Sequence, residues 1–293
     1  MRSLLFVPAD GGAKLDKAFA SGADAVIIDL EDSIAPERKE AARANAAAFL
    51  EEAIARASRP RLFVRINGLA TGLIDADLDA LVPARPDAIL LPKVEGGASV
   101  IHADAKLTAR EAISGLADGH IKIVAQAIET AAGIFQIGTF AAASARLIGM
   151  TWGPEDLSVE IGAEANRDTA GRLTEPYRLA RSLCLFGAAA AAVSAIETVY
   201  IDFRNLDGLR LDTEHACRDG FAGRLAIHPA QVAIINEVFT PTPDALAKAR
   251  AILAAFAAAP TAGAIGIDGV MYDRPHLLRA QRLLARAEAA VHQ

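Results

Sequence analysis

The feature that most constrains this chain is the alternation of short apolar runs with Ala-rich helical stretches. Each run is apolar nearly throughout, which is typical of parallel strands covered on both faces. The predicted strands are Leu4–Val7, Ala25–Asp29, Leu62–Ile66, Ala88–Leu91, Ile121–Ile128, Leu147–Met150, Thr198–Ile201 and Leu225–His228. Eight strand–helix repeats predict an α/β fold, a closed (β/α)8 TIM barrel. An open, doubly wound sheet is the main alternative, because alternation by itself does not show closure.

The predicted helices follow the strands and then continue beyond them. Those of the repeats are Lys14–Ser21, Pro36–Arg56, Leu73–Leu81, Val100–Leu116, Thr130–Ala143, Pro176–Ala192, Leu211–Gly220 and Pro229–Val238. A Pro-rich turn that starts at Thr240 ends the repeats. We therefore predict a barrel over residues 1–240 and a C-terminal helical extension over residues 241–293, which packs on the barrel or on a neighbouring subunit. In the extension, a short link at Ala264–Met271 joins helices at Ala245–Ala258 and Pro275–Ala290.

Composition narrows the functional class. Of the 293 residues, 53% are hydrophobic and only 5% are aromatic, so the core must be largely aliphatic. The net charge of −6 argues against nucleic-acid binding, which needs a basic surface. The apolar N-terminal run is too short for a signal peptide, and the Ala-rich runs are shorter than the roughly 20 residues of a membrane span. We expect a soluble, cytoplasmic protein without nucleic-acid or membrane partners.

Charged side chains follow the apolar runs, at the strand ends where barrel enzymes build their sites. These ends are Asp29–Asp32, Arg65–Asn67, Leu91–Lys93, Glu129–Thr130, Trp152–Asp156, Asp202–Arg204 and His228–Pro229. Carboxylates without Cys, and with one nearby His, favour a hard cation with oxygen ligands, usually Mg²⁺. Glu129 and Asp156 lie about one strand–helix repeat apart, so they are expected on adjacent strands as the ligands of that cation.

Each of these side chains also has a purely structural interpretation. A carboxylate at a strand end can cap the following helix. That interpretation applies to Asp32, Glu129 and Asp156. Arg65 and Lys93 can be ion-pair partners only, and a histidine before proline, such as His228, is more often structural than a base.

Nine segments of the chain stand in the order of the motifs of one known family. They are RSLLFVPAD at 2–10, DAVIIDLEDSIAP at 24–36, VRIN at 64–67, LPKVE at 91–95, AIET at 127–130, GPEDL at 153–157, TVYIDFRNLDGL at 198–209, IHPAQV at 227–232 and DGVMYDRPHL at 268–277. Together they resemble the citrate lyase β-subunit-like CoA-ester lyases of the HpcH/HpaI aldolase superfamily, which include malyl-CoA and citramalyl-CoA lyases. One motif alone is weak evidence, but nine in register over almost the whole chain are strong evidence.

The resemblance implies roles for individual residues. The family's Mg²⁺ ligands match Glu129 and Asp156, and its substrate-binding, catalytic arginine matches Arg65. In the DLED segment, Glu31 is the acidic residue nearest the metal's water shell and is expected to be catalytic. The neighbouring acidic residue, Asp32, is expected to contact substrate.

Further roles carried over from the family concern the substrate and the neighbouring subunit. In the LPKVE segment, Pro92 is expected to contact substrate. The C-terminal aspartate that reaches a neighbouring subunit's site in these lyases matches Asp273. Members are typically trimers or hexamers, so a homo-oligomer is expected.

Two departures from the family pattern concern coenzyme A. The segment after the first strand usually contains an arginine, and here Lys14 offers a positive charge for CoA phosphates without a bidentate fork. The usual DGKM reads DGVM, so Val270 replaces a cation. Both changes leave the predicted metal site intact.

The resemblance implies a Mg²⁺-dependent lyase that joins or separates a CoA-thioester enolate and a 2-oxo acid. Three alternatives stay open at this stage. The same pocket can serve a thioesterase on the same esters. The chain can be a β-subunit that works with an acyl-carrier partner in a citrate lyase-type complex. It can also be an aldolase of free 2-oxo acids, although the Asp273 motif favours the CoA branch.

Overall fold

Eight parallel strands close on themselves in the computed structural model, which describes residues 1–291. They are β1 (Ser3–Pro8), β2 (Ala25–Asp29), β3 (Arg61–Arg65), β4 (Ala88–Leu91), β5 (Lys122–Ile128), β6 (Leu147–Trp152), β7 (Ser194–Glu197) and β8 (Gly223–Ala226). Closure is made by β1, which pairs with β2 on one side and with β8 on the other. The predicted (β/α)8 barrel is therefore confirmed, and the open sheet is excluded.

Nine helices accompany the strands in the described chain. They are α1 (Gly12–Phe19), α2 (Lys39–Ile54), α3 (Ile74–Leu81), α4 (Gly97–Ile113), α5 (Ala131–Phe135), α6 (Pro154–Ile161), α7 (Glu175–Ala190), α8 (Leu206–Asp219) and α9 (Pro229–Phe239). Short 3-10 turns lie at Pro36–Arg38, Leu69–Thr71 and Ile137–Phe140. Among residues 1–291, no helix combines the length and the apolar character needed to cross a membrane.

The barrel interior is filled by side chains from alternate strand positions, all of them aliphatic except Phe63. Its buried cluster is Leu4, Ala25, Ile27, Phe63, Ala88, Leu90, Val124, Ile196 and Leu225. Because successive strand residues point to opposite faces, the intervening positions pack against the surrounding helices. The interior is thus a packed core, and the polar groups that follow the strands are left at the rim.

The prediction of the seventh strand at Thr198–Ile201 is wrong. The strand is Ser194–Glu197, because this segment pairs with both neighbours, through Gly149 to Ser194 and Ile196 to Gly223. The TVYI sequence has the stronger β propensity, but strand position is decided by pairing across the sheet. The predicted segment instead follows the strand without belonging to a strand or helix.

Two helices also differ from expectation. The predicted helix Thr130–Ala143 is broken into α5 and the 3-10 turn at Ile137–Phe140, and Gly133 and Gly138 within it lower its helix propensity. The unpredicted helix α6 begins with Pro154 and ends at Gly162, whose φ is 69°. Proline at the start and left-handed glycine after the end are recognised helix boundaries, so the signal for α6 was present in the sequence.

A second compact unit begins at Glu237. It contains helices α10 (Pro243–Ala258) and α11 (Arg274–Val291) and an antiparallel hairpin of β9 (Ala264–Ile267) and β10 (Val270–Asp273). The prediction of a plain link at Ala264–Met271 is wrong, because Asp268 and Gly269 take positive φ values of 49° and 78° and turn the hairpin. Asp-Gly is the dipeptide favoured for such turns.

Candidate active site

A cavity of about 360 Å³ opens at the carboxyl ends of the barrel strands. Its lining residues come from strand ends that are far apart in sequence. They include Phe6, Pro8, Asp29, Asp32, Arg65, Gln126, Glu129, Trp152, Asp156, Thr198, Val199, Leu225 and Ile227. The predicted site residues Asp32, Arg65, Glu129 and Asp156 therefore meet in one cavity. This is the convergence that parallel strands in a barrel impose on residues at their carboxyl ends.

Arg65, at the end of β3, is held by two acidic residues of the DLED segment. Its Nε and Nη2 each donate to an Asp29 carboxylate oxygen at 2.7 Å, and Nη1 lies 3.1 Å from Glu31 Oε2. The Phe6 ring lies 4.9 Å from the guanidinium carbon. Burial alone would raise the pKa of Asp29, but the hydrogen bonds and charge of Arg65 outweigh it and hold that pKa below its usual range. Arg65 is therefore a fixed, permanently charged group at the cavity wall.

Glu129, at the end of β5, is almost completely buried, with 1% of its surface exposed. Its two carboxylate oxygens each accept one hydrogen bond at 2.6 Å, from the Lys93 backbone N–H and from Gln126 Nε2. Burial raises the pKa of Glu129 to about 8; the Lys93 N–H opposes that rise, whereas the charges of Glu31 and Asp156 add to it. An ionised Glu129 thus needs a positive partner.

The helix-cap interpretation of Glu129 is wrong. Thr130 is the N-cap of α5, and its side chain accepts the Gly133 N–H at 3.1 Å. Glu129 is therefore free of a role in the helix and faces the cavity. Gly153 lies directly against it, because a Cβ at position 153 would stand 2.7 Å from Glu129 Oε1. The close approach of these two segments requires glycine there.

Asp156 lies in the first turn of α6, where a negative side chain is favoured by the helix dipole. Its side chain is 34% exposed and lines the cavity. The N-cap of α6 is Gly153, which has no side chain, so Asp156 does not cap the helix. Glu129 and Asp156 consequently bring two carboxylates to one cavity from adjacent strand ends.

Lys93, treated above as a possible ion-pair partner, is the residue that connects these acidic groups. Its Nζ lies 2.7 Å from Glu31 Oε1, 3.2 Å from Asp32 Oδ2 and 3.4 Å from Asp156 Oδ1. Burial opposes its charge, but the Glu31 carboxylate more than compensates and raises the pKa of Lys93. Its position directly after an apolar strand was the available sequence signal.

Glu31 is buried, and its carboxylate contacts Arg65 and Lys93. Burial raises the pKa of Glu31, and the charge of Arg65 and the hydrogen bond from Lys93 only partly offset that effect. Asp32 is 54% exposed at the cavity wall. The 3-10 turn at Pro36–Arg38 begins after Ala35, and α2 begins after Arg38; neither start is capped by a side-chain hydrogen bond. Asp32 therefore does not cap α2.

The remaining predicted residues lie elsewhere. Pro92 is buried beside Gly68, and Lys14 is exposed in the first turn of α1. The described residues that line the cavity do not include Glu31, Pro92 or Lys14. Asp273 belongs to the second unit, where its Oδ1 lies 2.5 Å from His276 Nδ1.

The chemistry of the donor set fits a hard divalent cation. Glu129 and Asp156 offer oxygen ligands only, which suits Mg²⁺ held by two carboxylates with its other positions left for water and substrate oxygens. Within residues 1–291, no group of three or more His, Cys, Asp or Glu side chains is arranged around one metal position. Two carboxylates would leave the other positions of a six-coordinate cation to water or a chelating ligand.

Comparison with known proteins gives a consistent picture. The family model described as HpcH/HpaI aldolase/citrate lyase matches residues 2–229. A (3S)-malyl-CoA thioesterase of Cereibacter sphaeroides is 37% identical over 290 residues, which are 98% of this chain and 95% of that protein. The mitochondrial citramalyl-CoA lyase of Rattus norvegicus is 33% identical over 304 residues, covering 98% of this chain and 86% of the relative.

A solved structure extends the similarity to three dimensions. Protein CitE from Mycobacterium tuberculosis, in complex with magnesium, acetoacetate and coenzyme A, is 32% identical in sequence. The two chains superpose with a TM-score of 0.78, and the match covers 98% of each. The similarity therefore includes the second unit as well as the barrel.

Proposed function

The chain belongs to the HpcH/HpaI aldolase/citrate lyase family, and on that premise we propose that it is a Mg²⁺-dependent carbon–carbon lyase. The proposed substrate is a β-hydroxyacyl-CoA of the malyl-, citramalyl- or citryl-CoA type. Cleavage gives an acyl-CoA enolate and a 2-oxo acid, and the reverse reaction joins them. The observation that carries the proposal is the meeting of Arg65, fixed by Asp29, with Glu129 and Asp156 in one cavity. The magnesium, acetoacetate and coenzyme A bound by CitE support it.

Glu129 and Asp156 are the residues that we propose hold the cation. When bound, Mg²⁺ supplies Lewis-acid polarisation of the oxygens of the hydroxy or oxo acid. Gln126 and the Lys93 backbone N–H orient the Glu129 carboxylate, since each donates to one of its oxygens at 2.6 Å. These two hydrogen bonds fix the orientation of the Glu129 carboxylate before the cation binds.

Arg65 is proposed to stabilise the enolate oxygen of the CoA thioester. Its guanidinium is held by Asp29 and Glu31, so little reorganisation is needed when negative charge develops on the substrate. Glu31 acts in this proposal by positioning Arg65, because its Oε2 atom is buried against that side chain and is not exposed to substrate. Arg65→Lys is not a conservative change, since lysine cannot keep the bidentate contact with Asp29.

Asp273 is proposed to move the proton between the hydroxyl oxygen and the enolate carbon, from the second unit of a neighbouring copy. The hydrogen bond from His276 lowers the pKa of Asp273 and favours the ionised carboxylate, which is the form that accepts a proton. Lys14 is proposed to contact CoA phosphates, and Asp32 to contact the acyl portion; the predicted contact of Pro92 is not retained in this proposal, because Pro92 is buried outside the cavity lining.

The test uses the purified protein with Mg²⁺ and a small set of β-hydroxyacyl-CoA esters, with the products identified by mass. We expect a 2-oxo acid together with acetyl-CoA or a related acyl-CoA. Removal of divalent cations by EDTA should abolish the reaction, and Mg²⁺ should restore it. Turnover that persists after complete metal removal would exclude the proposed mechanism.

A thioesterase is the second candidate function. The Cereibacter sphaeroides relative, which is 37% identical over 98% of this chain, carries that name. In this case water attacks the thioester carbonyl in the same cavity. The products distinguish the two reactions, because hydrolysis releases free CoA and intact malate or citramalate.

We also propose that the protein works in the cytoplasm as a homotrimer or hexamer. Val270 and Met271, which precede Asp273 in the hairpin, are apolar and 52% and 63% exposed, so this strand has an apolar surface to bury. Light scattering on the purified protein should give a mass of three or six chains. Activity of this chain without any other protein would exclude dependence on an acyl-carrier partner, as in a citrate lyase-type complex.

A further inference from the structure

Lys93 contacts both proposed metal ligands with two different chemical groups. Its backbone N–H donates to Glu129 Oε2 at 2.6 Å, and its Nζ lies 3.4 Å from Asp156 Oδ1. The same ammonium lies against Glu31 and Asp32. One residue that follows β4 therefore contacts four carboxylates in and around the cavity.

The backbone of Lys93 is in the left-handed region, with φ at 51°. Residues with a Cβ adopt this conformation at an energetic cost, whereas glycine adopts it freely. A chain that needed only the N–H directed at Glu129 would be served better by glycine. The presence of lysine at this position indicates that the ammonium has a function of its own.

No other cation near the cavity replaces the ammonium of Lys93 within the described structure. Lys39 Nζ donates to the carbonyls of Leu30 and Glu31 and to Asn67 Oδ1, at 2.7–2.8 Å. The guanidinium of Arg65 is engaged by Asp29 and Glu31. Asp32 and Asp156 are consequently left to Lys93.

We propose that Lys93 is a positioning residue that reserves Glu129 and Asp156 for the metal and keeps Glu31 and Asp32 out of its coordination shell. This inference rests on the proposed metal site. The ammonium engages Glu31 and Asp32, so the metal is held by two protein carboxylates and its other positions stay available to the oxo acid. Because it is positive and close to Asp156, it also weakens binding of free metal.

Two effects of opposite sign follow from this role. Without the ammonium, the site is more negative, so a free divalent cation binds more tightly. The anionic oxo acid meets a more negative cavity and a metal with fewer open positions, so its KM rises. A residue with a merely structural role would weaken both interactions when removed.

The experiment compares Lys93→Met, which removes only the charge, with Lys93→Gly, which also removes the backbone strain and keeps the N–H to Glu129. Lys106→Met is the matched control, because Lys106 Nζ contacts Asp75 at 2.7 Å on the outer helices. Mn²⁺ affinity is measured by calorimetry and electron paramagnetic resonance, with Mg²⁺ as competitor. We expect Mn²⁺ to bind about tenfold more tightly to both Lys93 variants and unchanged to Lys106→Met. KM for the oxo acid, at saturating Mg²⁺, should rise several-fold.

The control is Glu129→Gln, which should lower Mn²⁺ affinity if the cation binds at the proposed site. When that control holds, unchanged or weaker Mn²⁺ binding by folded Lys93→Gly would overturn the role of Lys93. Mn²⁺ binding that does not depend on Glu129 would overturn the metal site and the proposed function with it. Circular dichroism and thermal unfolding report whether each variant folds. If Lys93→Met unfolds because Glu31 loses its contact with the ammonium, Lys93→Met/Glu31→Gln is compared with Glu31→Gln alone. Asp32 becomes available to the metal only in the double variant, so its KM should be the higher of the two, and equal KM values would overturn the role of Lys93.

Discussion

Two groups of charged side chains, each built around a buried glutamate, lie at opposite ends of the barrel, and they differ in how fully their carboxylates are paired. At the amino ends of β5 and β6, Arg146 contacts Glu111, Asp104 and Asp118. At the carboxyl ends, Arg65 and Lys93 face a larger set of acidic residues, namely Asp29, Glu31, Asp32, Glu129 and Asp156.

The Arg146 group is closed. Glu111 is fully buried, and its oxygens accept from Arg146 Nη1 at 2.8 Å, from the Ile121 N–H at 2.7 Å and from the Gly119 N–H at 3.0 Å. Burial opposes the charge of Arg146, but the hydrogen bonds to Glu111 and Asp104 outweigh it and raise the pKa of Arg146. Every charge there has a partner within the chain, so this group serves the fold.

The group at the carboxyl ends is open. Burial raises the pKa values of Glu31 and Glu129, and the cations of the chain only partly offset it. Acidic groups with raised pKa values in a cavity are typical of a functional site rather than of a stabilising network. Direct pairing separates the two groups: each carboxylate of the closed group forms an ion pair with Arg146, whereas Glu129 of the open group is held by a backbone N–H and an amide.

The strongest test of the comparison removes a carboxylate from the open group. Glu129→Gln or Asp156→Asn should lower Mg²⁺-dependent turnover by at least about a thousandfold, because a cation held by two carboxylates loses one of them. At pH 8 and above, thermal stability of the metal-free protein should not fall for Glu129→Gln, since burial of a charge is relieved. Turnover near the wild-type rate in either variant would remove the basis of the metal assignment.

The converse change breaks the closed group. Arg146→Met should lower the free energy of unfolding by about 3–5 kcal/mol, because it leaves Glu111 charged, buried and uncompensated. Turnover per folded molecule should stay close to that of the wild type. Denaturant unfolding measures the free energy of unfolding, and active-site titration measures turnover per folded molecule. A large loss of turnover in the folded variant would contradict the assignment of the Arg146 group to the fold.

Asp273→Ala tests the contribution of the second unit and should lower carbon–carbon cleavage about a hundredfold, as expected when a proton-transfer group is lost. Metal affinity should not change. If Asp273 acts in a neighbouring copy, mixing this variant with Arg65→Ala should restore part of the activity after subunit exchange. Proven exchange without rescue would show that Asp273 acts within its own chain.

The smallest expected effect is a pH dependence of stability that belongs to the open group alone. Glu129 has a pKa of about 8 when folded and about 4.5 when unfolded, so the folded protein holds this proton more tightly. Its contribution favours folding at low pH and is lost as the pH rises between these values. Both proteins are measured in EDTA at pH 6 and at pH 8. Between these pH values, the free energy of unfolding of the wild type should fall by about 2 kcal/mol more than that of Glu129→Gln. Parallel profiles of unfolding free energy against pH for the wild type and Glu129→Gln would contradict this prediction.

Much of the fold was predictable because its signals are local. The apolar runs that became β2 and β4 were predicted with the bounds that the structure has, Ala25–Asp29 and Ala88–Leu91. The prediction of the seventh strand was wrong because the position of β7 is set by its pairing with β6 and β8. The strong β propensity of the TVYI sequence carries no information about that pairing.

For the site, the sequence by itself determined which acidic residues follow strands, and barrel geometry requires such residues to share a rim. The particular roles of Arg65, Glu129 and Asp156 stay predictions, although these side chains do meet in the cavity. Only the tertiary structure decided that Lys93 connects the acidic groups, since its partners Glu31 and Asp156 lie far away along the chain. Ion pairing between residues far apart in sequence is a property of the folded arrangement, and it distinguishes the open group from the closed one, since Glu111 and Glu129 are both buried but only Glu111 contacts a cationic side chain.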